Sequence, residues 1–600
     1  MKNKYMPMFL EMFKEFKKPI IVSFSLIVLG MCIEVLTPIL FGKVVTSVSN
    51  TEWNNAFLFV GIGFLCFMAQ EAVLWIREFY ELRNLHWKVF GVTMVKSLRK
   101  MLSLSIGQHV HEHSGKMYSI LSKGESSIVE MINLFVYQVI PTAIKILIYL
   151  IALAIVFPPL ALVSFVGLVL FSILTIRSNA ISMPGLRKLR KSFTDIEQVR
   201  QESLRIVPTI TLNSRTEQSG REMGEKVDSH LHKVQNHWSG YYRSSITRFT
   251  LITVCRYFNM ALGVFFVSKG QIDVGTFVGS LYLSNVVLGD IGSFGHFQRM
   301  YLMNSPHVAK YLNLFSIEPL VKNRSSAVAL KHVKGDITVT DVTFSYLPQD
   351  FIDTEDEEDE STVSLPIKKP EVVLTDISLH IEGGARVAFV GHSGSGKTTL
   401  ARLLVRAYDP QAGEIRLDNH DLRDVTLDSL HGAIGFVEQN VTLTSGTMRE
   451  NITFGLNGNA SAISDSELDT IARLCRIDQF KGRMSSGWDT KVGEDGIQLS
   501  GGERQRVGIA RALIRKPKIL IFDEATSNLD RPNEKAIQET IDSIHGVTTV
   551  IIAHRLSTVR KCDTIFVFKK GRIVAQGTHE VLMKRSPDYQ ELVGSDEFLA

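Results

Sequence analysis

Cysteine is scarce in this 600-residue chain, and charge is missing from long stretches of its first half. Five cysteines cannot staple a chain of this length, so a disulfide scaffold is excluded and Cys32, Cys66, Cys255, Cys475 and Cys562 are expected as free thiols. Disorder is excluded as well, because 45% of the residues are apolar and the mean hydropathy is +0.11. No small-residue cleavage site follows the first apolar run, so that run reads as a retained span and not a signal peptide. The length itself asks for two or more domains.

The net charge of +5 conceals two unlike halves. Residues 1–320 carry 32 Lys/Arg and 20 Asp/Glu, whereas residues 321–600 carry 34 and 41, so a sparse basic half of +12 precedes a denser acidic half of −7. The sparse half contains apolar runs at Pro19–Gly42, Ala56–Ile76, Ile140–Leu174 (two runs split at Pro158-Pro159), Leu251–Val267 and Val274–Leu288. About 20 apolar helical residues cross a hydrocarbon core of ~30 Å. Six spans are predicted, at about 19–42, 56–80, 133–157, 160–180, 249–267 and 274–300. Lys and Arg crowd the leader and the connections after the second and fourth runs, while the alternate connections hold only Lys43 and Lys269. That asymmetry puts the N-terminus and the long connections on the cytoplasmic side. The connections at 83–125 and 177–248 are too long for simple loops and alternate charged and apolar residues at helical spacing. They are expected to be helical continuations of the spans, each pair ending in a short turn against a soluble domain. His109, His111 and His113 in the first turn lack a cysteine or carboxylate cluster and read as solvated side chains.

Ionisable residues inside spans are costly and mark either a structural network or a functional cavity. Glu34, Glu71, Lys145, Arg256 and Asp290 come from five different spans and fall near a common depth. They are the candidate lining of a polar cavity for a transported substrate.

The second half is dense in phosphate chemistry. Arg386–Val390 reads as a strand, followed by GHSGSGKTT at 391–399 and a helical segment. Strand, glycine loop and helix are the context in which backbone N–H groups close around phosphate oxygens. Gly391, His392, Ser393, Gly394, Ser395, Gly396 and Thr399 form that loop, Lys397 reaches the terminal phosphates, and the Thr398 hydroxyl is a ligand for Mg²⁺. The apolar run Lys518–Phe522 ends in Asp523-Glu524, as a buried parallel strand delivers carboxylates to a ligand. Asp523 is placed to hold Mg²⁺ and Glu524 to polarise an attacking water. A second apolar strand ends at His554, where an imidazole can sense the γ-phosphate. Ser500-Gly501-Gly502 makes another glycine-rich helix start. One nucleotide does not need two such helix starts from one domain, so the second implies another copy.

With these motifs in place, the chain resembles an ATP-binding cassette (ABC) half-transporter of the exporter type (type IV). That resemblance implies a multidomain membrane protein: an all-α six-helix transmembrane domain (1–318) with long cytoplasmic extensions, a linker (319–335), and an α/β P-loop NTPase domain (336–600). It further implies that Gln439 contacts Mg²⁺ and the attacking water, that Tyr346 stacks on adenine, and that Ser500, Gly501, Gly502 and Gln505 contact the ATP held by the opposite copy. Asp530 in SNLD matches the D-loop, His554 the switch histidine, and Glu524 the catalytic glutamate, while TKVGEDG (490–496) resembles the segment that cross-talks with the membrane domains. ATP and Mg²⁺ are the implied cofactors. The implied partners are a second half-transporter, with a homodimer favoured, the lipid bilayer and a substrate, with no nucleic acid. The expected activity is ATP-driven export or flipping of an amphipathic small molecule, lipid or peptide across a bacterial inner or plasma membrane. An importer on the same fold and a non-transport ATPase or channel remain as alternatives. An acidic insertion at 350–370 departs from the family pattern and reads as a solvated loop, and Pro208 is expected to kink the second cytoplasmic extension.

Overall fold

In the computed structural model, the described residues are all but 1–6, 8–10, 12–13, 111–113, 347–371, 457–462, 494–496, 525–530, 554 and 595–600. The acidic insertion, Asp530 and His554 therefore lie outside the described residues. Two compact units emerge: Met1–Arg99 with Tyr118–Ser316, and Lys100–Met117 with Ile317–Ala600. The second unit thus includes a short piece of the first half of the chain, around the helix Ile106–Val110.

The first unit is built from six long helices, each apolar enough to cross a bilayer: α1 (Lys14–Ser49), α2 (Trp53–Leu102), α3 (Met117–Val156), α4 (Pro158–Arg205), α5 (Thr216–Ser268) and α6 (Val274–Ser316). Helices α4 and α5 run on well past the hydrocarbon thickness, as the charge-laced extensions predicted. Between them, Pro208 does not kink a continuous helix. It sits at the start of a separate six-residue helix, Val207–Leu212, where its missing N–H costs nothing and none of the residues is buried.

Close packing joins α1 to α6 near their outer ends. A Cβ on Gly275 would lie 2.1 Å from the Gly42 carbonyl oxygen, so only glycine permits this approach. Asp273 caps α6, accepting from the N–H groups of Gly275 and Thr276 at 3.0 and 3.1 Å, and the Thr46 hydroxyl of α1 also donates to it. Deeper in the unit, buried Asn259 of α5 donates to the Ser164 hydroxyl of α4 at 3.0 Å and to that of Ser284 in α6 at 2.7 Å. Two π-helical stretches break the regular hydrogen bonding, Leu82–His86 in α2 and Asn133–Val139 in α3.

The second unit has two main sheets. Its strands are β1 (Ile337–Ser345), β2 (Val372–Ile381), β3 (Arg386–Val390), β4 (Ala412–Leu417), β5 (His420–Asp421), β6 (Ile434–Val437), β7 (Gly446–Thr447), β8 (Lys491–Val492), β9 (Ile519–Asp523), β10 (Thr548–Ile552), β11 (Thr564–Lys569) and β12 (Arg572–Gly577). An antiparallel sheet runs β2-β1-β4-β5, and a six-stranded sheet runs β12-β11-β3-β10-β9-β6 with only β12 antiparallel. Every residue of β9 and β10 is buried, which is why these segments read as unbroken apolar runs. The parallel strands end on one edge, and that edge carries the chemistry.

Candidate functional site

Four neighbouring parallel strands deliver the site. The glycine loop follows β3, Asp523 ends β9, Gln439 follows β6, and β10 lies between β3 and β9. The loop leads directly into α7 (Lys397–Leu404), whose first N–H groups are therefore turned toward it. Gly391 has φ +150°, and a Cβ there would meet the Phe568 carbonyl oxygen at 2.3 Å. Gly394, at φ +77°, supplies a second left-handed turn that other residues rarely adopt.

The loop fits a phosphate chain on two counts. Lys397 is only 4% exposed, and its ammonium donates to the carbonyl oxygens of Gly391 at 2.7 Å and His392 at 3.1 Å, holding the charge at the loop. Ser395 is buried with a hydroxyl that has no partner among the described residues, a group that a bound phosphate oxygen would satisfy. His392, Ser393 and Gly394 are exposed on the rim.

The metal ligands also come together. The Thr398 hydroxyl donates to the Asp523 carboxylate at 3.1 Å. Burial pushes the Asp523 carboxyl above its ordinary range, and neighbouring Glu524 adds to this, while the Thr398 hydrogen bond opposes it. A divalent cation would supply the charge this buried acid lacks. Thr398, Asp523 and Gln439 are the residues that would hold Mg²⁺.

Next to them, the Gln439 amide donates to the Glu524 carboxylate at 2.9 Å. Glu524 has φ +50°, an uncommon conformation for a non-glycine residue, and its N–H bonds the Ile552 carbonyl at the end of β10 at 3.3 Å. The acid is thus turned out of its strand and aimed by a neighbouring side chain. Tyr346 lies across the loop, with its hydroxyl 3.1 Å from that of Thr399.

The second glycine-rich helix start stands apart. Helix α8 (Gly501–Leu513) is capped by Ser500 in a reciprocal box: the Ser500 N–H donates to Glu503 at 2.8 Å and the Glu503 N–H to the Ser500 hydroxyl at 3.3 Å. Glu503 is further paired with Arg483. Ser500 and Gly501 are exposed, and among the described residues no hydrogen bond or ion pair links this helix end to the phosphate loop of the same chain. Gln505, expected with the exposed signature, is instead 4% exposed and donates to the Glu438 carbonyl oxygen at 3.0 Å. Its place on the buried face of α8 turns it toward the segment carrying Gln439.

Sequence reasoning missed Tyr408. Its hydroxyl donates to the Gly107 carbonyl oxygen at 2.8 Å, and its ring lies edge-on to that of Tyr346 at 5.4 Å between centroids. A Cβ on Gly107 would fall 2.3 Å from the Tyr408 ring, so the helix Ile106–Val110 presses directly on this aromatic. Nothing local in either segment announces the contact. His109 in the same helix bonds the Met101 carbonyl oxygen through Nε2 at 3.0 Å, and His111 and His113 lie outside the described residues.

In the first unit, three of the five membrane charges meet. Lys145 lies 2.9 Å from Glu34 and 3.6 Å from Asp290, with its ammonium over the Tyr149 ring. Glu71 and Arg256 are exposed, and neither has an ion-pair partner among the described residues. A further carboxylate went unnoticed in the sequence: Glu81 is 2% exposed, accepts from the Ser23 hydroxyl, and lies 3.3 Å from Arg77.

Six membrane-length helices followed by a phosphate-loop sheet with a separately capped glycine helix define a membrane-bound nucleotide-binding protein with its two parts fused in one chain. Residues 20–291 match the family model of the ABC transporter transmembrane region, and residues 374–527 match that of the ABC transporter. The chain is 30% identical over 601 residues to "ATP-binding cassette sub-family B member 6" of Rattus norvegicus, covering 96% of this chain and 67% of that protein. It is 29% identical to "Iron-sulfur clusters transporter atm1, mitochondrial" of Neurospora crassa, covering 97% and 80%. Among solved structures, a bacterial Atm1-family ABC exporter with ATP bound superimposes with a TM-score of 0.80 at 26% identity, covering 96% of this chain and 98% of that one. The chain belongs to the ABC transporter family, as an exporter-type half-transporter. It spans about two thirds of the length of the mammalian sub-family B member 6 proteins it matches.

Proposed function

We propose that two copies of this chain form an ATP-hydrolysing exporter. The observation that carries the reading is the preassembled set at the strand ends: Lys397 held in the loop, Thr398 against Asp523, and Gln439 against Glu524. Lys397 and the N–H groups of α7 bind the phosphates, and Tyr346 supports the base. Glu524 accepts a proton from the attacking water while Gln439 orients its carboxylate. Mg²⁺, which Thr398, Asp523 and Gln439 would hold, would supply charge neutralisation on the phosphates.

The exposed cap of Ser500 and Gly501 has no phosphate to bind in its own chain, and it is offered to the ATP of a partner copy. Asp530 and His554 keep their expected roles in this reading, as D-loop and γ-phosphate sensor. The exposed turn Val207–Leu212 is the second element offered to the partner, just as Gly107 meets Tyr408 within the chain. Closure around ATP then moves the helices between inward- and outward-open states.

The cargo is an amphipathic small molecule, lipid or peptide, with the Glu34–Lys145–Asp290 cluster as a polar contact. Glu71 and Arg256 join the cavity lining from the exposed faces of their helices. The names of related proteins add iron–sulfur clusters to the cargo classes to be screened. The membrane is assigned as a bacterial inner or plasma membrane, with the nucleotide unit cytoplasmic. The reading is tested by ATP-dependent uptake into inside-out vesicles, where import or the absence of any flux would reject it.

A further inference from the structure

Two charges in the membrane unit have no counterpart in their own chain. Glu71 is the only Asp, Glu, Lys or Arg in the apolar run of α2 at 56–76, and Arg256 the only one in that of α5 at 251–267. Both are exposed, and neither has an ion-pair partner among the described residues. A charge facing lipid is expensive, so ionisable residues in spans ordinarily pair or face water. Arg256 lies against α6, with Nη2 3.3 Å from where a Cβ on Gly289 would fall, yet the adjoining Asp290 is turned to Lys145.

Three features set the missing partner outside the chain. The first is packing: α2 packs on α1, and α5 on α4 and α6, so Glu71 and Arg256 stand on helices without close mutual packing. The second is cover. The most apolar eighteen-residue stretch of α2 holds no buried residue, whereas 44% of the corresponding stretch of α6 is buried. The bare face of α2 suits lipid everywhere except at Glu71. The third is depth. At 1.5 Å per residue, Glu71 lies roughly 22 Å below Ala56, and Arg256 roughly 16 Å below Val267. Helix tilt and the long arginine side chain cover that difference.

We infer that Glu71 of one copy forms an ion pair with the partner's Arg256, across a seam between α2 and the α5 of a second copy. Two-fold symmetry repeats the contact, so a dimer carries two such pairs. Arginine suits the place, because its guanidinium is more weakly hydrated than an ammonium and offers a planar fork to a carboxylate. The inference rests on the two-copy reading above and deepens it: the two charges that line the cavity wall from exposed faces close the join between copies. All five span charges are then paired, Lys145 with Glu34 and Asp290 inside the chain, and Glu71 with the partner's Arg256 across the seam.

Complementary charge reversal tests the seam. One tagged full-length chain carries Glu71→Arg, so that positions 71 and 256 are both basic. A second, differently tagged chain carries Arg256→Glu, so that both are acidic. Like pairs then seat like charges in both seams, while a mixed pair satisfies both. After coexpression, solubilisation and separation by tag, mixed dimers should outnumber either like pair by about ten-fold or more, where random pairing gives about two-fold. Unaltered chains with the same two tags supply the random value. If neither altered chain accumulates alone, recovery of both on coexpression supports the seam equally. Random mixing of the altered chains overturns the inference and leaves both charges to water or to their own chain. Failure of the unaltered tagged chains to copurify rejects the two-copy reading and the seam with it, so the two failures are told apart. ATP hydrolysis and transport enter none of these readouts.

Discussion

The two units treat charge in opposite ways. In the nucleotide unit, ionisable groups stand at strand ends and in caps, held by polar partners, as Asp523 is by Thr398, and Glu503 by Ser500 and Arg483. Within the apolar spans of the membrane unit they are few, and a single lysine serves two carboxylates, Glu34 and Asp290. One unit uses charge to hold and cleave a charged substrate; in the spans of the other, Glu34, Lys145 and Asp290 meet as opposite signs while Glu71 and Arg256 stay exposed. Changing a charge should therefore stop chemistry in one unit and loosen structure in the other.

The largest expected effect is on chemistry. Glu524→Gln should lower phosphate release by about 10²–10⁴-fold while nucleotide binding, measured by a fluorescent ATP analogue, persists. A smaller loss would remove Glu524 as the base. In the membrane unit, Lys145→Met leaves two carboxylates facing each other and should destabilise the fold by roughly 3 kcal/mol. Thermal unfolding in nanodiscs measures it, and adding Glu34→Gln should restore part of the loss. If Lys145→Met is neutral, the cluster is not a structural network.

Two smaller tests address single hydrogen bonds. Tyr408→Phe keeps the ring but loses the bond to Gly107, for a cost of about 1 kcal/mol read as a lower melting temperature. Ser500→Ala removes the α8 cap, also about 1 kcal/mol, and should in addition weaken ATP-dependent association of two copies. The smallest effect is in pH. Burial works to raise the Glu503 pKa, but the Ser500 N–H and the Arg483 guanidinium outweigh it and hold the carboxyl below its ordinary range. A depressed carboxyl stabilises the fold above its unfolded pKa, and that share is lost as pH falls through the folded value. The gap in melting temperature between the unaltered protein and Glu503→Gln should thus be widest near neutral pH and shrink on acidification.

The same contrast governs what could be read from the sequence. The phosphate loop was legible because GHSGSGKTT is contiguous and lies between a strand and a helix. The six spans were legible because a lipid-facing helix is apolar along its length. Contacts assembled from distant segments were not. Gly107 meets Tyr408 across 301 residues, and Ser23 meets Glu81 across 58, with no local pattern at either end. Membrane depth alone grouped Glu71 and Arg256 with Lys145, because depth says nothing about which way a helix is rotated.

The central claim is that each ATP site is completed by the second copy. Two differently tagged chains, one carrying His392→Cys in the phosphate loop and the other Ser500→Cys at the α8 cap, are coexpressed in the Glu524→Gln background and oxidised with and without ATP. The account predicts a disulfide-linked pair of the two tagged chains that forms with ATP and is nearly absent without it. A yield that ignores ATP, or no linked pair at saturating ATP, would contradict it.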